Sequence, residues 1–181
     1  MSPRRGSLRL PLMPEQFITL IRQYEEAIIS TWMDELYRDR RTELPARLSY
    51  AQLVNHLPEL LEELGHILDA APSDLETAEA TRRLRSHAQV RFHQGILIDE
   101  MARELMTLRR VLEDFLWREG FSVVEGNLRE LRAALMRANR FMEEMLAQSL
   151  VIYAASLRPP METRTSVWPP PRRRKTDFTE S

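Results

Sequence analysis

Ile98-Asp-Glu-Met101-Ala-Arg-Glu104-Leu105-Met-Thr-Leu108-Arg109-Arg110-Val111-Leu112-Glu-Asp-Phe115-Leu-Trp-Arg-Glu-Gly120 is the stretch whose reading decides the fold. Met101, Leu105, Leu108, Val111, Leu112 and Phe115 recur at three- and four-residue steps, which puts them on one face of a helix. The spacing predicts a helix from about Ile98 to Glu119, with Gly120 as its cap. Upstream, a more polar helix is expected from Ser73 or Asp74 to about Gln94. Arg82, Arg83, Arg85, His87, Gln89, Arg91 and His93 crowd its second half, and Gly95 is a candidate left-handed cap. Downstream, Ser122-Val-Val-Glu125 and Asn127-Leu-Arg-Glu130 both have capping-box spacing. Either one introduces a last helix running to about Leu157, roughly 45 Å long at ~1.5 Å per residue.

Further toward the N-terminus, Phe17, Leu20, Ile21, Tyr24, Ile28, Trp32 and Leu36 mark a helix from about Pro14 to Arg38. Ser49-Tyr-Ala-Gln52 is a capping box opening a helix with an apolar face of Leu53, Leu57, Leu60, Leu61, Leu64, Ile67 and Leu68. Pro58 interrupts it and must either kink the helix or mark a restart, and a kink is expected. No segment alternates with the period of two that a half-buried strand needs. The fold class is all-α, a single domain of about five main helices with a long C-terminal helix.

Composition narrows the function classes. The 181 residues include no cysteine, which excludes a disulfide framework, thiolate metal sites and a cysteine nucleophile. No apolar run reaches the ~20 residues of a membrane span, and the first residues lack the apolar core of a signal peptide, so the chain reads as cytoplasmic. The net charge is -1 and is unevenly spread. Residues 1–9 carry +3 and residues 158–181 another +3, leaving -7 on 10–157. An acidic body argues against a nucleic-acid partner, which needs clustered Lys and Arg on the folded surface. Residues 1–12 read as a disordered basic terminus, 13–157 as the helical domain, and 158–181 as a disordered tail holding five of the eleven prolines. The tail segment Trp168-Pro-Pro-Pro-Arg-Arg-Arg-Lys175 is a docking peptide, a weak anchor to an anionic surface or a solvated terminus.

Signals for chemistry are sparse. The histidines are His56, His66, His87 and His93, and none stand four apart as a zinc pair on one helix face would. Glu63-x-x-His66 matches half of a carboxylate-bridged di-iron site, with no second such motif. His56 and His87 are the positions that could serve a haem as axial ligand. Nucleophile elbows and glycine-rich phosphate loops are missing. An enzyme is not expected, and neither is a metal or cofactor.

Ser86-His87-Ala-Gln-Val-Arg91-Phe-His-Gln-Gly95, followed by Asp99-Glu-Met-Ala-Arg-Glu104-Leu-Met-Thr-Leu-Arg109-Arg110, resembles the N-terminal sensory domain of the RsbT co-antagonist (RsbRD) family. Leu57-Pro-Glu-Leu-Leu61, Ile29-Ser-Thr-Trp32 and Asn139-Arg-Phe-Met-Glu143 through Tyr153 are similar to other segments of that family. The resemblance spans about residues 14–157. It implies a globin-like helical bundle without haem, usually dimeric, placed ahead of a STAS, PAS or histidine-kinase domain. Such a domain passes a signal to a stress-response or phosphorelay partner. Leu97 and Leu105 depart from the family pattern, where a small cap and an aromatic are common. Only the basic tail follows Tyr153, so the chain reads as a stand-alone sensor acting through a kinase or STAS-type partner.

The same residues have a physical reading. His87 and Arg91 are four apart and share a helix face. Antiparallel pairing across Gly95 would bring Glu104 near them, with Arg109 on the same second helix. Such a cluster is either a polar pocket sensing a ligand or pH, or a structural ion pair locking two helices. On the last helix Leu128, Leu131, Leu135, Ala138, Met142, Met145, Leu146, Ser149 and Ile152 form an apolar seam, with Met136, Phe141, Leu150 and Tyr153 off it. Two apolar sides exceed what one core can use, which points to a homodimer through Leu135, Met142, Met145, Ser149 and Ile152.

Overall fold

The computed structural model describes residues 15–70, 73–83 and 85–157. The two basic ends expected to be disordered, and Pro14, lie outside the described residues. The described chain is an all-α bundle: α1 (Gln16–Arg38), α2 (Leu44–Arg47), α3 (Tyr50–Val54), α4 (Leu57–Ala70), α5 (Asp74–Arg83), α6 (Arg85–His93), α7 (Ile98–Val123) and α8 (Leu128–Ser156). α1 packs on α4 and α7, α7 pairs with α8, and α8 closes against α4, α5 and α6. Among the described residues no helix is long and apolar enough to cross a membrane.

The core forms where the apolar stripes meet. Trp32, Leu61, Leu64, Met101, Leu116 and Phe141 have no measurable exposure. The α1–α4 crossing is unusually close, because a Cβ on Gly65 would lie 2.8 Å from the Cα of Ile18. One turn further along α4, Asp69 accepts the backbone N–H of Phe17 at 2.9 Å and of Ile18 at 3.0 Å. The open N-terminus of α1 is thereby capped by a side chain from the helix it crosses.

Several boundaries differ from the sequence reading. At Pro58 the chain restarts instead of kinking: α3 ends at Val54, and α4 begins at Leu57 with Pro58 in its first turn. Proline has no N–H to complete the α3 ladder, while in a first turn that N–H would go unused anyway. The capping box at Ser49 and Gln52 forms as read. α7 runs past Gly120 to Val123. Gly120 is a packing residue: its absent Cβ would meet Leu131 Cδ1 at 3.2 Å. The turn is made instead by Glu125 and Gly126, whose φ angles are 51° and 80°. Asn127 supplies the N-cap of α8, accepting from the N–H groups of Arg129 and Glu130. The expected third helix is described as two elements, α5 and α6, with residue 84 between them outside the described residues. Gly95 does adopt a left-handed conformation (φ 72°), and the Ile96 N–H returns to the Arg91 carbonyl at 3.0 Å.

The seam on α8 is also corrected. Its inward face is Leu131, Ala134, Ala138, Phe141, Met142, Met145, Ser149 and Tyr153. Phe141 and Tyr153, read as off the seam, are inside, and the Tyr153 hydroxyl donates to the Ile96 carbonyl at 3.0 Å. The C-terminal half of α8 is therefore packed within the chain through Met145, Ser149 and Tyr153.

Candidate functional site

The feature that joins sequence, fold and chemistry is a buried polar cluster where α3, α6 and α7 meet. Arg91 on α6 is fully buried, and Glu104 on α7 is 1% exposed. The Arg91 Nε donates to Glu104 Oε2 at 2.8 Å, and Nη2 donates to Oε1 at 2.6 Å. This is the two-pronged geometry in which guanidinium and carboxylate bind most strongly. Nη1 donates to the Gln52 carbonyl at 2.8 Å and to Gln94 Oε1 at 3.0 Å, while Nη2 also reaches the Leu53 carbonyl at 3.0 Å. All five N–H donors of the guanidinium are engaged.

The break at Pro58 explains two of those bonds. A helix leaves its last carbonyls without intrahelical partners. α3 ends before Pro58, so the carbonyls of Gln52 and Leu53 are free, and α3 directs the negative end of its dipole at the Arg91 cation. The end of α3 at Val54 thus leaves the acceptors that let an arginine be buried. Trp32 adds a further tie, its Nε1 donating to the Glu104 backbone carbonyl at 3.4 Å.

His87 lies one turn before Arg91 and is 4% exposed. Its Nε2 is 3.6 Å from Glu104 Oε1, too far for a hydrogen bond, and neither ring nitrogen has a hydrogen-bond partner among the described residues. The His56 ring stands edge-on to it, with centroids 5.8 Å apart, and the His56 Nε2 is likewise unpartnered. Burial pushes the His87 pKa down from 6.5. Glu104 pulls it upward, and Arg91 and His56 add to the downward push. At neutral pH His87 is therefore an uncharged, unsatisfied base beside a saturated ion pair. Burial also raises the Tyr153 phenol to about 12, with Glu104 contributing in the same direction.

The structure thus brings together three of the four residues expected to cluster, His87, Arg91 and Glu104. It does not bring Arg109. That side chain lies on another face of α7, donating to Glu113 Oε1 at 3.1 Å and to Asn139 Oδ1 at 2.7 Å. Sequence reading missed Gln94 and the carbonyls of Gln52 and Leu53. Only the conflict between Pro58 and a long apolar stripe could have signalled the latter. A haem does not fit here: the two histidine rings pack edge-on against each other and the Arg91–Glu104 pair fills the space beside them. Of the residues expected at a dimer interface, Met142, Met145 and Ser149 are buried in the chain's own core, while Leu135 and Ile152 lie half-buried at its margin.

The family model for the RsbT co-antagonist protein rsbRD N-terminal domain matches residues 26–166. The chain belongs to this family. The matched span contains every residue of the buried cluster and most of α1, and it extends past the end of α8. The rsbRD N-terminal domains are signalling domains and not a known enzyme family. No curated protein and no solved structure matches the chain.

Proposed function

We propose that the chain is a cofactor-free, non-enzymatic sensory and interaction domain that works as a homodimer and couples an input to a stress-response or phosphorelay partner, a kinase or a STAS-type protein. Membership of the rsbRD N-terminal family supports the signalling role. The observation that carries the homodimer is the outward face of α8. With the inward face already spent on the core, Leu128, Met136 and Leu150 still have relative exposures of 61%, 59% and 42%, and Leu157 at the helix end has 67%. They recur at intervals of two turns or multiples of it, beside the half-buried Leu135 and Leu146. An apolar stripe of this kind on a soluble domain marks an interaction surface.

The test is the native mass of the freshly purified full-length chain, together with that of Leu150→Glu. A bare-polypeptide dimer that becomes monomeric in Leu150→Glu, with unchanged helical circular dichroism, is expected. A bare wild-type monomer would overturn the homodimer, and a stoichiometric adduct would overturn the cofactor-free reading.

A further inference from the structure

We propose that a cleft on the outer face of α7, beneath the link between α1 and α2, is a binding site for a small phosphomonoester dianion. The cleft has a volume of about 350 Å³, and four arginines, Arg41, Arg103, Arg109 and Arg110, line it beside Met106 and Thr107. Such a concentration of guanidinium stands out on a body whose residues 10–157 carry a net charge of -7. Two carboxylates also line the cleft, and both are occupied. Asp39 holds Arg41 in a two-pronged pair at 2.9 and 3.0 Å, and Glu113 accepts from the Arg109 Nε at 3.1 Å. The hydrogen bonds from Arg41 hold the Asp39 carboxyl at about 2, so that pair stays ionised.

Arg103 and Arg110 hold no carboxylate in a close pair, although the Arg103 charge helps to lower the Asp39 carboxyl. Neither has an ion pair among the described residues, and the only hydrogen bond of Arg110 is to the Thr107 Oγ1 at 3.4 Å. The Arg103 Nε is buried with no hydrogen-bond partner. A buried N–H without an acceptor is rare in folded chains, and an acceptor supplied by a ligand resolves it. The two residues stand seven apart on α7, about two turns on one face, so both guanidiniums reach the same cavity. The Thr107 hydroxyl proton has no acceptor among the described residues and adds a third donor.

The chemistry of the ligand follows from this donor set. Four guanidiniums against two carboxylates leave the cleft with two positive charges in excess, which match a doubly charged anion, and the planar fork of arginine fits the oxygens of a phosphoryl group. The volume falls in the range of small-molecule sites, about 300–1,000 Å³, and leaves room for an organic group on the ester oxygen. Met106, 58% exposed, offers that group an apolar wall.

Titrating the full-length chain at constant ionic strength with phenyl phosphate, and separately with inorganic phosphate, tests the assignment by calorimetry and by the arginine Nε–H resonances in NMR. Saturable binding of phenyl phosphate is expected, tighter than that of inorganic phosphate and accompanied by a shift of the Arg103 Nε–H resonance. Arg103→Gln and Arg110→Gln should each weaken it by about tenfold or more, while Arg132→Gln, an equal loss of charge on exposed α8 surface, should leave it within about twofold. Equal affinity for the two probes would overturn the monoester assignment. No saturable binding below about 10 mM, or equal weakening by Arg132→Gln, would overturn the site. Thermal melts of each variant confirm that a lost signal is not lost folding.

Discussion

Arg103 and Glu104 are adjacent on α7, yet their surroundings are opposite. Glu104 faces inward to an arginine whose every donor is engaged, in a pocket closed by Trp32 and His87. Arg103 faces outward with its Nε buried and unpartnered, above a cleft already holding two satisfied ion pairs. The Arg91–Glu104 pair is satisfied within the chain, while beside it the His87 ring nitrogens and the His56 Nε2 have no partner among the described residues. The outer cleft holds four arginines against two carboxylates, with the Arg103 Nε unpartnered. What separates the two regions is charge balance: the inner pair is neutral as a pair, and the outer cleft carries an excess of positive charge.

The largest effect should come from breaking the inner site. Arg91→Met strips Glu104 of its counter-charge and leaves the Gln52 and Leu53 carbonyls without partners, and removing one member of a buried pair costs about 3–5 kcal/mol. A fall in melting temperature of more than about 6 °C is expected for a chain of this size. An unchanged melting temperature would show that the cluster does not lock α6 to α7. The double variant Arg91→Met with Glu104→Leu sharpens the point. Replacing both charges by apolar groups removes the unpaired carboxylate but not the orphaned carbonyls, so it should recover part of the loss and no more. Full recovery, measured by denaturant unfolding, would mean that the carbonyls of α3 contribute nothing.

How much of this was legible in the sequence follows from what spacing can encode. The stripe Met101–Phe115, the Ser49–Gln52 capping box, the Asn127 cap and the left-handed Gly95 are local and were readable. Pro58 was ambiguous, since a kink and a restart satisfy the same local chemistry; tertiary demand for the α3 carbonyls accompanies the restart. Gly120 looked like a cap because glycine signals both chain reversal and close approach, and only the position of Leu131 separates the two. Arg109 was assigned to the wrong cluster for a related reason. Periodicity says which residues share a face of one helix, not which neighbour that face meets. On α8 the apolar residues spread over more than half the helix, so the direction of the core was decided by α5 and α6, whose polar sequences gave no sign of it.

A smaller effect should appear in the pH dependence of the inner site. The His87 pKa is lowered in the folded chain, so below the unfolded value of about 6.5 the unfolded state binds more protons. Stability is then fully present above that pH and is lost as pH falls toward the folded value, with a slope of up to about 1.4 kcal/mol per unit. Glu104, Arg91 and His56 are the titratable groups facing the ring, so His87→Leu, which leaves all three in place, isolates the share of His87. Denaturant melts between pH 7.5 and 5 should show a shallower fall in His87→Leu than in the wild type. Parallel curves would assign the acid sensitivity elsewhere.

The smallest effect separates the two regions most cleanly. Arg103→Gln removes a charge whose side chain makes no hydrogen bond or ion pair among the described residues, so stability should stay within about 0.5 kcal/mol of the wild type. A residue one position away from Glu104 would then be nearly silent in a melt. A loss approaching that of Arg91→Met would mean that Arg103 is structural and that the outer cleft is a second closed site. Salt supplies an independent check on the same contrast. The exposed end of the Asp39–Arg41 pair is screened within a Debye length of about 8 Å at physiological ionic strength, whereas the Arg91–Glu104 pair lies where salt does not reach. Raising salt to 1 M should therefore leave the melting difference between wild type and Arg91→Met intact. A difference that shrinks with salt would place Arg91 in contact with solvent and remove the distinction between the two sites.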